Sequence, residues 1–412
     1  MDFERVQRSG ERLGVFASPE FDFQFVRMLA GMPYGAATIG ECLTTARAIK
    51  DGDTDSWVTA WSQTAGRVER LAGDARRHGD AVTARDGFRR AANYWRIAEF
   101  FAGIDDPRLD TCWRKSNDAC AASATLEPFV FEQRRFPYDG RHLPGFIMRP
   151  AGDGPFPVLV LLSGSDGNNT DNYLWHGIEA VTRGYCAAGF QGPGQTDDWH
   201  LARSAFRPDY EAPISAVLDT IVQLPFIDPA RVVLLGESWG GYFALRGAAA
   251  DDRIRACIAN SPVHDLYAYM LGSYPPEIAG LVLSPPPVDD IVALEHSAPP
   301  GSFQRWGAEL FASKFGTRTW VESVQALRGY TMGGRLGYIR CPVLGLVCEG
   351  EGPGAVSQAR HVTDTVPGPA TLMVIRADQG ATAHCLLDNL PLANHLIFSW
   401  LDRQFRDKPR SS

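Results

Sequence analysis

This 412-residue sequence lacks a long apolar run, a basic patch and paired cysteines, and each absence argues against a class of protein. No apolar stretch approaches the roughly 20 residues that span a bilayer, so we expect no membrane partner. The formal net charge is −8 and charges of both signs are mixed along the chain, which argues against a nucleic-acid partner. The eight cysteines form no Cys-x-x-Cys pair, so neither a zinc site nor a disulfide framework is indicated. The charged start, MDFERVQRSGERLG, has no apolar signal core, and we expect a cytoplasmic protein.

Proline is also missing between Pro33 and Pro107, and apolar residues in that stretch recur at helical spacing. Trp57 and Trp61 lie four residues apart with polar residues between them, which is typical of an amphipathic helix. Without an internal proline such helices run uninterrupted. The sequence therefore predicts a helical N-terminal domain over residues 1–125.

After residue 125 the pattern changes to short apolar runs separated by helical segments. Runs such as FPVLVLLSG, RVVLLGES and CPVLGLVCEGEG are typical of parallel strands that are covered on both faces. We predict an α/β fold with a doubly wound, mostly parallel sheet over residues 126–412, entered through a hairpin that turns at Tyr138-Asp139-Gly140. The proline-rich region of about 271–335 is expected to be an irregular excursion between two core strands.

Ser238 lies in the stretch GESWGG, between an apolar strand and an alanine-rich helix. A turn this sharp crowds its neighbours, and glycines at 236 and 240 remove the side chains that would collide. The pattern Gly-x-Ser-x-Gly by itself is weak in a glycine-rich chain. The strand directly before it and the helix directly after it favour a nucleophile at the carboxyl end of the sheet.

A serine nucleophile needs a base and an orienting acid, which follow it in the chain in this architecture. His384 follows the last predicted strand, in the loop QGATAHC, and is the predicted base. The acid is expected after the strand of CPVLGLVCEGEG. Glu351 is preferred because a chain that leaves a strand needs two or three residues before it turns toward the histidine. Glu349 is the first alternative and Asp364 the second.

The oxyanion of such a reaction needs N–H donors. One is expected from the backbone of Trp239, directly after the nucleophile. The other is expected from Gly164 or Ser165, in the loop after PVLVLLSGSDG.

Five further residues are candidates for substrate binding. Tyr94, Arg96 and Glu99 lie on one predicted helix, where helical spacing lets only some of them face a pocket and where the aromatic residues are at least as well explained by core packing. Glu237 precedes the nucleophile, and His264 follows the strand after it.

The GESWGG turn, GPGQ at 192–195 and AHC at 383–385 together resemble the α/β-hydrolase superfamily. The chain resembles in particular the branch that holds fermentation-respiration-switch-like proteins, 2,6-dihydroxypseudooxynicotine hydrolase and the fungal melanin-pathway hydrolases that shorten a polyketide chain. RRAANYWRIAEFF resembles that branch's helical cap, so the resemblance implies that residues 1–125 form a cap or lid over the site. Glu351 stands where the branch usually has aspartate, Gln191 where it often has aspartate, and Ser163-Gly164 where it often has Gly-Gly.

The resemblance and the triad together imply acyl chemistry that needs no metal or organic cofactor. The expected substrate is a small aromatic or polyketide-like molecule, cleaved at an ester or at the C–C bond of a β-diketone or acyl-phenol. An acyltransferase or cyclase that uses the same triad stays open, as does a non-catalytic binding protein of the same fold. The sequence leaves the oligomeric state open, a homodimer included.

Overall fold

The computed structural model describes residues 8–406, in which a helical unit precedes the sheet. Apolar side chains on one face of each helix bury it against the next. Asp53 and Asp80 begin the two longest of these helices, where their side chains accept from the N–H groups of Ser56 and Thr83. The five helices are α1 (Pro19–Leu29), α2 (Ile39–Ala46), α3 (Thr54–Arg77), α4 (Ala81–Phe100) and α5 (Leu109–Ala124).

The helical unit is held together by an aromatic core. The indole N–H of Trp57 donates to the carbonyl of Ile97 at 2.8 Å, which ties α3 to α4. Rings of Phe21 and Phe101 stack with centroids 4.6 Å apart. Edge and stacked contacts of this kind add to the hydrophobic burial of large rings, so they hold the helices of this unit together.

The sheet that follows has eight strands in the order β1-β2-β4-β3-β5-β6-β7-β8. The pairs β1–β2 and β2–β4 are antiparallel and all others are parallel. This confirms the predicted doubly wound, mostly parallel sheet. The strands are β1 (Val130–Tyr138), β2 (Arg141–Arg149), β3 (Phe156–Leu162), β4 (Cys186–Phe190), β5 (Ile227–Glu237), β6 (Ile254–Asn260), β7 (Val343–Cys348) and β8 (Ala370–Ile375).

Helices between the strands cover both faces of the sheet. The helices between β3 and β6 are α6 (Asn169–Asn172), α7 (Ile178–Thr182), α8 (Thr196–Ala202), α9 (Glu211–Ile221) and α10 (Trp239–Ala250). In the described part of the chain, no helix is long and apolar enough to cross a membrane.

The region of 271–335 is largely helical, so the prediction of an irregular excursion was wrong. Prolines mislead here because they stand before or at the first residue of a helix, where the missing N–H costs nothing. Pro276 is the first residue of one of these helices, and Pro287 precedes another. The helices of this insertion are α11 (Leu266–Ser273), α12 (Pro276–Leu283), α13 (Val288–Ser297), α14 (Phe303–Phe315) and α15 (Trp320–Ala326).

Two last helices, α16 (Pro353–Thr365) and α17 (Leu390–Arg406), complete the layers. Alternate residues of a strand point to opposite faces. Leu159 and Leu161 accordingly pack in one core with α7, α17 and the helical unit, whereas Val158 and Val160 pack in the other with α9, α10 and α16. The N-terminal helices thus share one continuous core with a face of the sheet.

Candidate active site

Ser238 occupies a strained turn between β5 and α10. Its φ is +58°, in the left-handed region that non-glycine residues rarely adopt. A Cβ on Gly236 would lie 1.8 Å from the carbonyl oxygen of Gly240, and one on Gly240 would lie 2.3 Å from the carbonyl oxygen of Leu162. Only glycine fits at both positions, and the turn holds the serine side chain clear of the sheet at the start of α10.

A chain of hydrogen bonds leads from Ser238 to a buried carboxylate. Nε2 of His384 lies 2.8 Å from the Oγ of Ser238. Nδ1 of the same ring forms a close hydrogen bond with Oε2 of Glu351. Because the carboxylate accepts from Nδ1–H, Nε2 is left to accept the serine proton. The structure therefore brings the predicted nucleophile, base and acid together in one line.

The carboxylate of Glu351 is oriented by its surroundings. The backbone N–H of Cys348 donates to Oε1 at 2.9 Å, and the hydroxyl of Ser261 donates to Oε2 at 2.6 Å. The Glu351 side chain is 1% exposed, whereas Glu349 on the same short 3₁₀ turn is exposed to solvent. Of the two glutamates that the sequence offered, the structure joins Glu351 to the histidine.

The loops that carry the histidine and the acid are joined by the start of the chain. The carbonyl of Arg8 accepts from the N–H of His384 at 2.7 Å, and the N–H of Gly10 donates to the carbonyl of Thr382 at 3.2 Å. A Cβ on Gly350 would lie 2.2 Å from that Thr382 carbonyl oxygen and 2.6 Å from the nitrogen of Gly10. The sequence analysis placed this segment in the helical domain and missed the contact, since backbone pairing leaves no side-chain signal.

The loop after β3 lies against the serine. A Cβ on Gly164 would lie 2.8 Å from the Cβ of Ser238, so this glycine permits close approach. The side-chain amide of Gln195 donates to the carbonyl of Ser163 at 2.6 Å, and that of Gln191 donates to the hydroxyl of Ser163 at 2.9 Å. The glutamines in and before GPGQ thus hold the loop that contains Gly164 and Ser165, the two alternatives for one predicted oxyanion donor. Trp239, the other predicted donor, is the first residue of α10.

A cavity of about 520 Å³ opens above the serine. The indole of Trp306 on α14 lies 5.3 Å from the ring of Phe100 on α4, centroid to centroid, so the insertion and the helical unit meet over the cavity. Both contribute to its wall, which is rich in large rings: Phe23, Phe100, Trp175, Trp239, Trp306 and Phe311.

One part of the cavity wall is charged. Arg27 pairs with Asp166 at 3.2 Å and with Asp171 at 2.8 Å. Burial raises the pKa of Asp166, but the guanidinium groups of Arg27 and Arg8 outweigh it and hold that pKa well below its usual range. Nζ of Lys314 donates to the carbonyl of Ser165 at 2.8 Å, so a side chain of α14 contacts the loop beside the nucleophile.

Three predicted substrate contacts, Tyr94, Arg96 and Glu99, do not border the cavity. Tyr94 is fully buried in the helical unit, where its hydroxyl donates to Glu41 at 2.8 Å. Arg96 bonds Asp171 at 3.1 Å and Glu99 at 2.6 Å, and neither Arg96 nor Glu99 borders the cavity. The physical reason for Arg96 and Glu99 is charge pairing, because Arg96 is neutralised by Glu99 on α4 and by Asp171 on α6.

The other two predicted contacts differ from each other. Glu237 borders the cavity, but its carboxylate is bound by His176 and Asn260 beneath the nucleophile. His264 lies outside the cavity, with its ring centroid 4.2 Å from that of His361. Burial and the neighbouring His361 both lower the pKa of His264. Its prediction as a substrate contact therefore has no support from the residues that border the cavity.

Lys314, Arg8 and Arg27 border the cavity and were missed. None stands in a motif, and each reaches the site from an element remote in sequence from the nucleophile. The apolar residues of α14 carried a readable signal, because Phe303, Trp306 and Leu310 recur at helical spacing.

Solved structures with the same fold include the 2,6-dihydroxy-pseudo-oxynicotine hydrolase. It superposes with a TM-score of 0.72 over 92% of this chain and 96% of that one, at 21% sequence identity. The structure of AbyA5 matches with a TM-score of 0.61 at 16% identity, over 92% of this chain and 95% of that one. Together with the sheet order, these matches show that the chain has the α/β-hydrolase fold.

Sequence comparison narrows the class. The chain belongs to the FrsA-like esterase family, whose model matches residues 38–272. It is 31% identical to the 20-hydroxy-prefusarin hydrolase FUS2 of Gibberella moniliformis, over 96% of this chain and 98% of that protein. It is 32% identical to the hydrolase LUC6 of a Fusarium species, over 95% of this chain and 98% of that protein. The protein is therefore an enzyme of the hydrolase class.

Proposed function

We propose that Ser238, His384 and Glu351 are the nucleophile, base and acid of a hydrolase that cleaves a carbonyl compound through an acyl-enzyme. The observation that carries this proposal is the hydrogen-bond chain from Ser238 through His384 to Glu351. It ends at a cavity large enough for a small organic molecule. Nucleophile, base and orienting acid in this order constitute the arrangement that activates a serine hydroxyl.

In the proposed reaction, Oγ of Ser238 attacks the substrate carbonyl carbon and its proton passes to Nε2 of His384. The carbonyl π electrons move to oxygen, and this oxyanion accepts hydrogen bonds from the N–H of Trp239 and from that of Gly164 or Ser165. Collapse of the tetrahedral intermediate breaks the bond to the leaving group, which takes the proton from His384. Water then attacks the acyl-enzyme, with His384 again as base, and releases the acid and free Ser238.

The leaving group sets the kind of bond that is cleaved. From an ester an alkoxide or phenoxide departs. From a β-diketone or acyl-phenol a stabilised carbanion departs and is protonated, which amounts to C–C hydrolysis. The ring-lined cavity supports a small aromatic or polyketide-like substrate, because flat side chains stack on flat ligands. Relatives named for hydrolysis of 20-hydroxy-prefusarin and of 2,6-dihydroxy-pseudo-oxynicotine support a small organic substrate as well.

Covalent labelling tests the nucleophile. A fluorophosphonate probe should add one label to the wild-type protein, read by intact mass, and the label should map to Ser238. Ser238→Ala should abolish labelling, whereas Ser273→Ala should keep it. Ser273 is a matched control because it also borders the cavity but donates to the carbonyl of Met270 at 2.7 Å. Labelling of Ser238→Ala at the wild-type rate would exclude this serine.

Product analysis separates the remaining functions. A β-diketone and an aryl ester of similar size, each incubated in ¹⁸O-water, should give an acid with the heavy oxygen if water is the acceptor. A transferred acyl group without the heavy oxygen would instead establish an acyltransferase or cyclase. If Ser238 reacts with the probe but the protein hydrolyses neither compound, the substrate belongs to a different class of carbonyl compound.

A further inference from the structure

Lys314 is a buried cation whose hydrogen bonds all go to neutral oxygens. The residue is 5% exposed, and Nζ donates to the carbonyl of Ser165 at 2.8 Å and to the hydroxyl of Thr196 at 3.1 Å. Among residues 8–406, no carboxylate forms an ion pair with it. An ammonium group has three N–H donors, so one of them has no acceptor in this arrangement. A buried charge in this state is costly unless an anion completes it.

The nearest acids already serve other cations. Glu99 bonds Arg96 and His200, and although burial raises its pKa, these partners lower it to about 2. Asp166 is paired with Arg27 and Arg8. Burial accordingly lowers the pKa of Lys314 to about 8, although Glu99 and Asp166 partly offset the effect. The ammonium therefore keeps its charge at neutral pH without a carboxylate of its own.

Lys314 also faces the space where a substrate binds. It borders the same cavity as Ser238 and Gly164, and it contacts the loop that lies against the serine. The rings of Phe100 and Trp306 border the same cavity. A flat molecule bound in this cavity therefore has aromatic rings, the nucleophile and the ammonium group of Lys314 on its walls.

We propose that Lys314 binds an ionised oxygen of the substrate, so that the enzyme takes an aromatic or conjugated carbonyl compound with an acidic hydroxyl, present as its phenolate or enolate. Such an oxygen accepts the third N–H in a charge-assisted hydrogen bond, while the rings stack on the flat conjugated part. This inference rests on the proposed function only in naming the bound molecule as the substrate.

Direct binding tests the site without turnover. Calorimetry on Ser238→Ala uses three ring compounds: 4-nitro-1-naphthol, which is ionised at neutral pH, 2-naphthoate and the neutral 2-naphthamide. Adding Lys314→Met to this variant should weaken the affinity for the naphtholate about 10- to 100-fold, as expected for loss of one charge-assisted hydrogen bond. The affinity for the amide should fall less than about threefold. Lys314→Gln keeps an amide donor for Ser165 and should show the same loss. It serves as the second variant if the methionine protein does not fold.

The pattern of losses decides the source of the anion. Loss for naphtholate, with or without naphthoate, supports a phenolate or enolate substrate, whereas loss for naphthoate alone assigns the cation site to a carboxylate. Equal changes for all three ligands, or no binding of either anion to Ser238→Ala, overturn the proposal. Lys50→Met is the matched control, because Lys50 is exposed and remote from the cavity. Fluorophosphonate labelling reports on the triad separately, so the two proposals fail independently.

A pH series distinguishes charge from shape. The groups that surround Lys314 are Glu99 and Arg96 on α4, Arg27 on α1, and Asp166 beside the serine. The affinity for 4-nitro-1-naphtholate, which stays ionised from pH 7 upward, should fall as the pH rises through about 8, because Lys314 loses its proton there. The Lys314→Gln protein should show no such fall, and a wild-type affinity that is flat to pH 10 would overturn the proposed role of charge.

Discussion

Two buried carboxylate–histidine pairs flank Ser238, and only one of them points a ring nitrogen at it. In the pair of Glu351 and His384, the carboxylate takes Nδ1 and leaves Nε2 facing the hydroxyl. In the pair of Glu237 and His176, Nε2 lies 2.8 Å from the carboxylate and Nδ1 lies 2.7 Å from Oδ1 of Asn394. Since both nitrogens of His176 are taken up by Glu237 and Asn394, neither faces the hydroxyl of Ser238.

The difference between the pairs shows that residue type alone does not make a base. The amide of Asn394 cannot turn to offer an N–H, because its nitrogen already donates to the carbonyl of Trp175 at 2.8 Å. Asn260 donates to both oxygens of Glu237 and completes a closed network. His384 instead is 12% exposed at the cavity, where a substrate proton can reach it. We therefore interpret the pair of Glu237 and His176 as a structural network that stabilises the turn of Ser238.

The largest effect on the rate is expected at the pair of Glu351 and His384. Glu351→Gln supplies an amide that donates to Nδ1 and favours the wrong tautomer, so kcat should fall about 10³–10⁴-fold. Glu351→Asp keeps the charge and should lose less. The rates are measured with 4-nitrophenyl acetate, and Glu349→Gln is the control, since that side chain is exposed on the same turn. A larger loss at Glu349 would move the acid assignment to it.

A smaller loss of kcat is expected when Glu351 and His384 are moved apart but neither side chain is replaced. Gly350→Ala places a methyl group 2.2 Å from the carbonyl oxygen of Thr382, which must push the acid loop and the histidine loop apart. A shift of about 1 Å at a triad costs on the order of 10²-fold in kcat. Gly337→Ala, where a new Cβ meets nothing within 4 Å, is the control. Wild-type kcat in Gly350→Ala would show that the spacing of these loops does not matter.

A change in the pair of Glu237 and His176 should lower the free energy of unfolding more than it lowers the rate. Glu237→Gln removes the buried carboxylate to which His176 and Asn260 are hydrogen-bonded, and unfolding by urea should show a loss on the order of 3 kcal/mol. Because no reacting atom meets this pair, kcat should drop by no more than about tenfold. Glu277→Gln, on the exposed face of α12, should change neither quantity. A kcat loss as large as that of Glu351→Gln would make Glu237 part of the reacting chain.

A third carboxylate–histidine pair, remote from the serine, sets the smallest effect. Glu99 accepts from His200 at 3.2 Å. Burial raises the pKa of Glu99, but Arg96 and then His200 lower it to about 2, below the ordinary 4.5. The ionised carboxylate therefore stabilises the folded state above pH 4.5, and this contribution is lost as the pH falls toward 2. Glu99→Gln should cost about 1–3 kcal/mol at pH 7 and less at pH 3, measured by urea unfolding. A gap that widens at pH 3 would contradict this sign.

Local patterns predicted the parts of the site that depend on neighbours in the chain. The glycines around Ser238 signal a turn, and the strands before Glu351 and His384 place both loops at the carboxyl edge of the sheet. Tyr94 shows where such reasoning fails. Its helical spacing indicates an apolar face, yet the same spacing fits a core position and a cavity wall, and the structure buries it against Glu41.

The sequence by itself determined the class of fold, the strained serine turn and the order of serine, acid and histidine, because these follow from backbone sterics and hydrophobic period over a few adjacent residues. Only the tertiary structure decided which charges face the cavity. Lys314 reaches the loop after β3 from α14, and Arg8 reaches the histidine loop from the start of the chain. Contacts across such separations depend on how helices pack on the sheet, and no local pattern encodes which buried cation is left without a carboxylate.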